Sequence, residues 1–279
     1  MWTAEARTLV GDFGAGQALS DEQYALLVPL IPPAKPGGRP RTTDMRRMLD
    51  GLFYLVRTGC QWRHLPPPPA FPPWRTIYGY MRAFADAGVW EGIRHHLVVM
   101  LRERDGREPS PSAAIVDTQA VRCIAVRGPR GYDAAKGVVG RKRVALVDAE
   151  GHWLAVAVVP ASVQDRDTLE ALDAGKARWP TLREGIYDGA FAAERCREWS
   201  NVHGMRHRVV TRDPAARGFV VLARRWVVER SFGWLSHWGG LARDRAGRLD
   251  VSAARLALVG VLSGFEALLD PMPVRAPAQ

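Results

Sequence analysis

The chain has 279 residues, 47% of them hydrophobic, and its 39 Lys and Arg outnumber its 29 Asp and Glu to give a net charge of +10. This length fits one large domain or two moderate ones, and the composition excludes a disordered chain. No segment has the form of a signal peptide or a membrane span, and three widely spaced cysteines exclude a disulfide framework, so we expect a cytoplasmic protein with no membrane partner.

The positive charge makes nucleic acid the first partner to consider, because an excess of cations draws a protein to polyanions. Only four of the 39 basic residues are Lys. The guanidinium group of Arg suits bidentate phosphate contacts, although GC-rich coding would produce the same bias.

The first half of the chain predicts a flexible leader at 1–19 and a small helical domain at 20–105. Ser20 and Gln23 form a capping box ahead of apolar residues at helical spacing. Thr43 is the predicted cap of a second helix. Two more helices are predicted, one from about residue 74 and one at 90–104.

A polar segment with two prolines, 106–112, predicts a linker, and the pattern beyond it becomes rich in strands. The elements of the second domain, 113–270, follow in the order βββαβαβαα, which predicts an α/β fold with a mixed sheet flanked by helices. Residues 271–279 form a tail. The predicted strands are 114–120, 143–147, 153–159, 185–187 and 207–211, and the predicted helices are 167–178, 190–203 and two that begin near 221 and 252.

Three carboxylates stand where a solvent-facing charge is not expected. Asp117 is flanked by an apolar, strand-like run, and Asp188 ends a strand. Glu229 lies in a helix, and its neighbours three and four positions away are Arg225, Trp226, Phe232 and Gly233. Converging carboxylates on such elements are what two divalent metal ions need for phosphodiester cleavage. A strand-end cap, or an ion pair with Arg225, would explain any one of them alone.

Together with its other motifs, the sequence resembles a known family, the bacterial insertion-sequence DDE transposases of family five. The likeness covers about residues 20–270. It rests on LSDEQYALLVPLIPP, GGRPR and LFYLVRTGCQWRHLP in the first half, and on DTQAVR, GPRGYDAAKGVVGRKR, VVPASVQDRD, IYDGAF and RRWVVERSFGWL in the second.

The resemblance implies an RNase H-like catalytic domain after a helix-turn-helix-like domain. Asp117, Asp188 and Glu229 would be the catalytic triad and would hold Mg²⁺, with Mn²⁺ as a substitute and two ions in all. In the family's signature helix Arg225 and Glu229 match the pattern. Leu222 and Ser236 replace the usual Tyr and basic residue, which leaves the DNA contacts of this helix open.

Basic residues in two clusters predict contacts with DNA phosphates. One cluster lies in the glycine-rich stretch between 122 and 143, and the other precedes and enters the second helix. A third contact is predicted on the helix from residue 74, which could equally be an ordinary amphipathic surface. The DNA-binding residues so predicted, with Arg225, are Arg39, Arg41, Arg75, Arg130, Lys136, Arg141, Lys142 and Arg143.

The sequence therefore predicts a transposase that binds the terminal inverted repeats of its element, cleaves the DNA there and joins the 3′-hydroxyl to target DNA. Its partners would be DNA and a second copy of the chain, and its place the bacterial nucleoid. Two alternatives remain open: a catalytically impaired DNA-binding protein derived from a transposase, and a metal-dependent nuclease that cuts without joining.

Overall fold

The computed structural model describes residues 19–34, 36–38, 40–124, 127–211 and 225–269. Its first half contains the four predicted helices. They are α1 (Asp21–Leu27), α2 (Met45–Thr58), α3 (Trp74–Asp86) and α4 (Val89–Arg104).

The ends of these helices follow local capping chemistry. Ser20 caps α1, and both hydrogen bonds of the predicted capping box with Gln23 are present. The prediction of Thr43 as the cap of α2 is wrong: Asp44 takes that position, because its side chain accepts a hydrogen bond from the amide of Arg47. At the other end of α2, Gly59 adopts a left-handed conformation with φ of 69°, which terminates the helix.

The second half contains one six-stranded mixed sheet. Its strands are β1 (Ala113–Arg122), β2 (Gly131–Asp133), β3 (Val138–Val147), β4 (Trp153–Pro160), β5 (Glu184–Tyr187) and β6 (Arg206–Val209). The sequence did not predict β2. It also placed the start of β3 five residues too late, because glycines and cations precede the apolar part of that strand.

The strand order supports the predicted fold class. β1, β3 and β4 form an antiparallel meander, and β5 and β6 add to β1 in parallel. Apart from the short β2, the order is β4-β3-β1-β5-β6. This is the RNase H-like arrangement, with the first strand at the centre of the sheet.

Helices cover both faces of the sheet. One face meets the short helix α5 (Asp173–Lys176) and α6 (Glu194–Val202). The predicted helix at 167–178 is largely wrong, since 3₁₀ turns occupy its first part and only α5 is α-helical. Leu169 and Leu172 are both buried there at a spacing of three, which a 3₁₀ turn places on one side.

The other face of the sheet meets the N-terminal helices and the last two helices, α7 (Arg225–Trp234) and α8 (Leu249–Leu269). α8 packs against α2, α3, α4 and β4. One continuous core therefore contains buried residues of the helical half, such as Leu97, and of the sheet, such as Ile115. The two halves share apolar packing across the predicted linker. No helix in the described part of the chain is long and apolar enough to cross a membrane.

Candidate active site

Asp117 and Asp188 lie side by side on neighbouring parallel strands. Ile115 of β1 pairs with Ile186 of β5, and each aspartate follows two residues later. Asp188 keeps an extended backbone, with φ of −90° and ψ of 179°. Because side chains alternate along a strand, both aspartates project from the same face as the two isoleucines, on chains separated by about 4.8 Å.

Main-chain amides hold both carboxylates. Oδ1 of Asp117 accepts a 2.7 Å hydrogen bond from the amide of Thr118, and Oδ1 of Asp188 accepts one of 2.9 Å from the amide of Ala190. The Asp188 contact also caps the 3₁₀ turn that follows β5. Both residues are half-buried. The local backbone thus fixes the orientation of the two carboxyl groups.

Glu229 lies on α7, the helix that packs against the same face of the sheet. Val227, Val228 and Phe232 of α7 are buried in the core that also contains Ile115 and Ile186. Glu229 itself is exposed, so the expectation that its charge does not face solvent is wrong. The helix of Glu229 therefore packs on the face that carries the two aspartates, while the Glu229 side chain is exposed to solvent.

The turn between β3 and β4 anchors α7. Ser231 Oγ shares its one proton between the carbonyls of Gly151 at 3.1 Å and Val227 at 3.0 Å. Arg230 Nη2 donates a 2.7 Å hydrogen bond to the carbonyl of Glu150. Next to these contacts, a Cβ on Gly151 would lie 2.8 Å from Ser231 Oγ. Only a glycine lets the turn approach the helix this closely.

The described residues contain no group of three His, Cys, Asp or Glu side chains placed to hold one metal ion. The donor chemistry of Asp117 and Asp188 nevertheless fits a hard divalent cation, since carboxylate oxygens are its preferred ligands and the two are in register on one face. Glu229 would complete the set from the helix above.

Three predicted DNA contacts require correction. Arg141, Lys142 and Arg143 belong to β3 and are only 0%, 5% and 4% exposed. Arg141 pairs with Asp244, and Lys142 pairs with Asp165, at 3.1 Å and 2.8 Å. The basic stretch is not one solvated loop, because its last part enters the sheet, and buried cations of this kind need internal partners.

The remaining cations of that stretch lie at the surface. Arg130 and Lys136 are exposed on either side of β2, where the chain turns back into β3. In the first half, Arg75 is exposed on α3, with its guanidinium 5.4 Å from the centre of the Trp74 ring. Arg41 is also exposed, and its Nη1 donates to the carbonyl of Pro32 at 2.8 Å.

Two predicted DNA-binding side chains lie outside the described residues. These are Arg39 and the side chain of Arg225, whose backbone begins α7. Leu222, at the position where the family usually has Tyr, is also outside them. Ser236 is exposed just after α7, and its hydroxyl donates to the carbonyl of Gly233 at 2.7 Å.

An exposed stack of side chains on α7 was not anticipated. The guanidinium of Arg230 lies 4.6 Å from the ring centre of Trp226 and 4.9 Å from that of Trp234, and both indoles are nearly half exposed. Tryptophan is on average a largely buried residue, but Trp226 does not pack into the core. The spacing of four residues between the three side chains was the signal for one helical side.

A polar network next to Asp117 was also missed. Thr118 Oγ1 donates a 2.8 Å hydrogen bond to Oδ1 of Asp165, the same oxygen that Lys142 contacts. Asp165 belongs to the motif VVPASVQDRD, which carried the family resemblance without any assigned role. The network ties the loop after β4 to β1 and β3.

Comparisons with known proteins agree with these observations. Residues 108–263 match the model of the transposase DDE domain, and residues 19–94 match the model of the IS4/5-family transposases. A relative from Burkholderia cepacia, the insertion element IS402 uncharacterized 16.2 kDa protein, is 32% identical over 111 residues. That alignment covers 38% of this chain and 74% of the relative.

Solved structures that resemble the chain include Mos1 transposase assemblies. A pre-cleavage Mos1 transpososome shares 10% identity at a TM-score of 0.30, with 85% of this chain and 80% of that chain covered. The Mos1 strand transfer complex shares 11% at 0.33, and the Mos1 mariner paired-end complex with Mn shares 13% at 0.32. Each of these two covers 95% of this chain and 88% of the other.

Proposed function

The chain belongs to the transposase DDE domain family, and we propose that it binds the terminal inverted repeats of an insertion sequence, cleaves the phosphodiester at each end and joins the 3′-hydroxyl to target DNA. The observation that carries this proposal is the parallel register that sets Asp117 beside Asp188 on the sheet face covered by the Glu229 helix. Family membership supports the class of reaction, and the register supports a site at Asp117 and Asp188.

Asp117, Asp188 and Glu229 would hold divalent metal, Mg²⁺ or Mn²⁺ and two ions in all. When bound, such ions stabilise the charge on the attacking and leaving oxygens of a phosphodiester. The amides of Thr118 and Ala190 would keep the two aspartates in place before DNA arrives, so that little rearrangement accompanies the reaction.

Glu229 reaches the site from a different element, and its position therefore depends on how α7 lies on the sheet. Arg225 precedes it by one helical turn and would position a DNA phosphate or the carboxylate itself. The guanidinium suits this task because it presents several N–H donors in a fixed plane.

DNA would contact the protein through exposed cations of both halves. Arg130 and Lys136 project beside the catalytic sheet, and Arg41 and Arg75 project from the helical half. Phosphate contacts of this kind give affinity, whereas side chains aimed at base edges give preference for one sequence. We assign the recognition of the element's ends to the helical half, with Arg39 and Arg75 as contacts.

Both ends of an element must be held together for joining, and we propose a homodimer as the active assembly. It would act on the bacterial chromosome in the cytoplasm, associated with the nucleoid. In this proposal the predicted domain at 20–105 recognises the DNA ends and the predicted domain at 113–270 carries the catalytic site, although the two parts share a core.

The alternative of an impaired, transposase-derived DNA-binding protein has one observation in its favour. Ser236 stands where the family usually has a basic residue, and its hydroxyl bonds to its own helix end. The second alternative, a nuclease without joining activity, shares the triad and the metal ions.

One experiment separates the three functions. The full chain is incubated with Mg²⁺, duplex DNA made from the sequence flanking its gene, and a supercoiled target plasmid. A transposase releases a 3′-hydroxyl end and joins it to the plasmid. A nuclease cuts without joined product, and a DNA-binding protein shifts the duplex in a gel without cutting it. Either of the last two results would overturn the proposal.

A further inference from the structure

Arg143 lies on the same sheet face as the catalytic aspartates. It sits opposite Gln119 in the pairing of β3 with β1, two residues along the strand from Asp117. Because side chains alternate, Gln119 and Asp117 project to one face of β1, and Arg143 projects to that face from β3. Arg143 is only 4% exposed, and burial lowers its pKa to about 10, so it keeps its charge at neutral pH.

The guanidinium of Arg143 joins two separate parts of the chain. Nη1 donates a 2.9 Å hydrogen bond to Oε1 of Gln119, and Nη2 donates a short one to the carbonyl of Leu241. Leu241 ends the segment in which the chain returns from α7 to the sheet. We name this part, Trp238 to Leu241, the return segment.

The opposite side of the return segment is fixed by the end of α2. The amides of Gly239 and Gly240 donate to the carbonyls of Arg57 and Val56 at 3.0 Å and 2.9 Å. The approach is so close that a Cβ on either glycine would lie 2.6 Å from a carbonyl oxygen of α2. The return segment is therefore held between α2 and Arg143.

This arrangement points to a role for Arg143 in the placing of α7. The helix is tied to the turn between β3 and β4 near its middle, through Ser231, and the chain that follows it is tied to β3 at Leu241, after a 3₁₀ turn. A helix whose middle and whose following segment are both fixed has little freedom to change its direction on the sheet. Glu229 is two residues from the first of these points and would inherit its position from both.

We propose that Arg143 is a positioning residue: it ties the return segment to the strand of Asp117 and so sets where Glu229 lies relative to the two aspartates. The proposal rests on the proposed metal site. Arg143 itself does not touch the reacting atoms. The bond to Leu241 makes the link, because β3 already pairs with β1, and the bond to Gln119 holds the guanidinium in the direction of Leu241.

The test is Mn²⁺ binding to the full chain, measured by electron paramagnetic resonance of free Mn²⁺ during a titration. Arg143→Met removes the link at similar volume, and we expect affinity to fall about tenfold, as it does when groups that orient metal ligands are removed. Gln119→Met removes the hydrogen bond that orients the guanidinium and should weaken binding in the same direction. Arg94→Met is the matched control, because Arg94 is an equally buried arginine whose guanidinium contacts the carbonyl of Leu154 instead.

Thermal unfolding identifies the temperature range in which each variant is folded. The inference is overturned if folded Arg143→Met binds Mn²⁺ with the affinity of the parent. If Arg143→Met does not fold, the same result in folded Gln119→Met overturns it. An equal loss in Arg94→Met would also overturn it, since general loosening would then explain the result. If the parent binds Mn²⁺ no better than Asp117→Asn, the proposed metal site itself is wrong, which is a different failure.

Discussion

Arg102 of α4 donates a 2.6 Å hydrogen bond from Nη1 to Oδ2 of Asp148, the residue that follows β3, and both side chains are buried. The bond joins the helical half of the chain to the end of strand β3. Asp148 also accepts hydrogen bonds from the amides of Glu150 and His152, which shape the turn that anchors α7. One ion pair thus connects the two halves of the chain close to the turn that contacts α7, the helix of Glu229.

We predict that Arg102→Met lowers the free energy of unfolding by about 3 kcal/mol, because it leaves the Asp148 carboxylate buried without its partner. Urea denaturation of the full chain measures this. The control is Arg195→Met, which breaks an ion pair with Asp167 that is largely exposed, and it should cost less than about 1 kcal/mol. Equal effects of the two variants would show that the buried pair has no special weight.

Stability should fall in acid as Asp148 becomes protonated. Burial alone would raise its pKa, but the hydrogen bonds and charge of His152, with Arg102, lower it from 3.8 to about 2. A lowered pKa stabilises the folded state above pH 3.8, and that contribution is lost as the pH falls toward 2. Unfolding midpoints in urea between about pH 5 and pH 2 should decline more in the parent than in Asp148→Asn. If the unfolding midpoints of the parent and of Asp148→Asn decline equally with pH, Asp148 is not the source of the acid sensitivity.

The binding of DNA should weaken steeply with salt, because each phosphate contact releases counterions. Replacing exposed Arg130 and Lys136 with Ala should reduce the slope of log affinity against log salt by about 1 for each of the two cations that meets a phosphate. Arg197→Ala is the control, since Arg197 is an exposed cation on α6, which covers the opposite face of the sheet. A slope unchanged in the double variant would exclude both cations from the DNA interface.

Arg75 should contribute to sequence preference rather than to affinity alone. We predict that Arg75→Ala reduces the preference for end DNA over random DNA by about tenfold, as expected when a side chain that bonds to a base edge is removed. Arg130→Ala should weaken the binding of end DNA and of random DNA to the same degree. Competition gel shifts with the full chain measure both ratios. If Arg75→Ala loses equal affinity for end DNA and random DNA, Arg75 contacts phosphates, and another helix recognises the end sequence.

Local patterns predicted the four N-terminal helices and five of the six strands. Ser20 and Gln23 carry a capping signal within four residues, and the apolar run before Asp117 indicates a strand. The register of Asp117 with Asp188 could not be predicted in this way, because strand pairing depends on chain segments 71 residues apart. The resemblance to a family supplied that pairing where local physics did not.

The positions of the basic residues show the limit of composition. Arg141 and Arg143 cannot be told from Arg130 by charge alone, yet the first two enter a strand and find buried partners. Two of those partners, Asp244 and Leu241, lie far along the chain, beyond α7. Net charge indicated nucleic acid as the ligand to consider, but only the tertiary structure separates cations at the surface from cations buried in the sheet.

The central claim is that Asp188, beside Asp117, belongs to the catalytic site, and cleavage of end DNA by Asp188→Asn tests it most directly. The parent and the variant are compared with Mg²⁺ on the same duplex, with gel shifts to confirm DNA binding and Asp105→Asn as a surface carboxylate control. We predict that Asp188→Asn binds the duplex like the parent and yields no cleaved product, while Asp105→Asn cleaves normally. Cleavage at the parental rate by folded, DNA-bound Asp188→Asn would contradict the account.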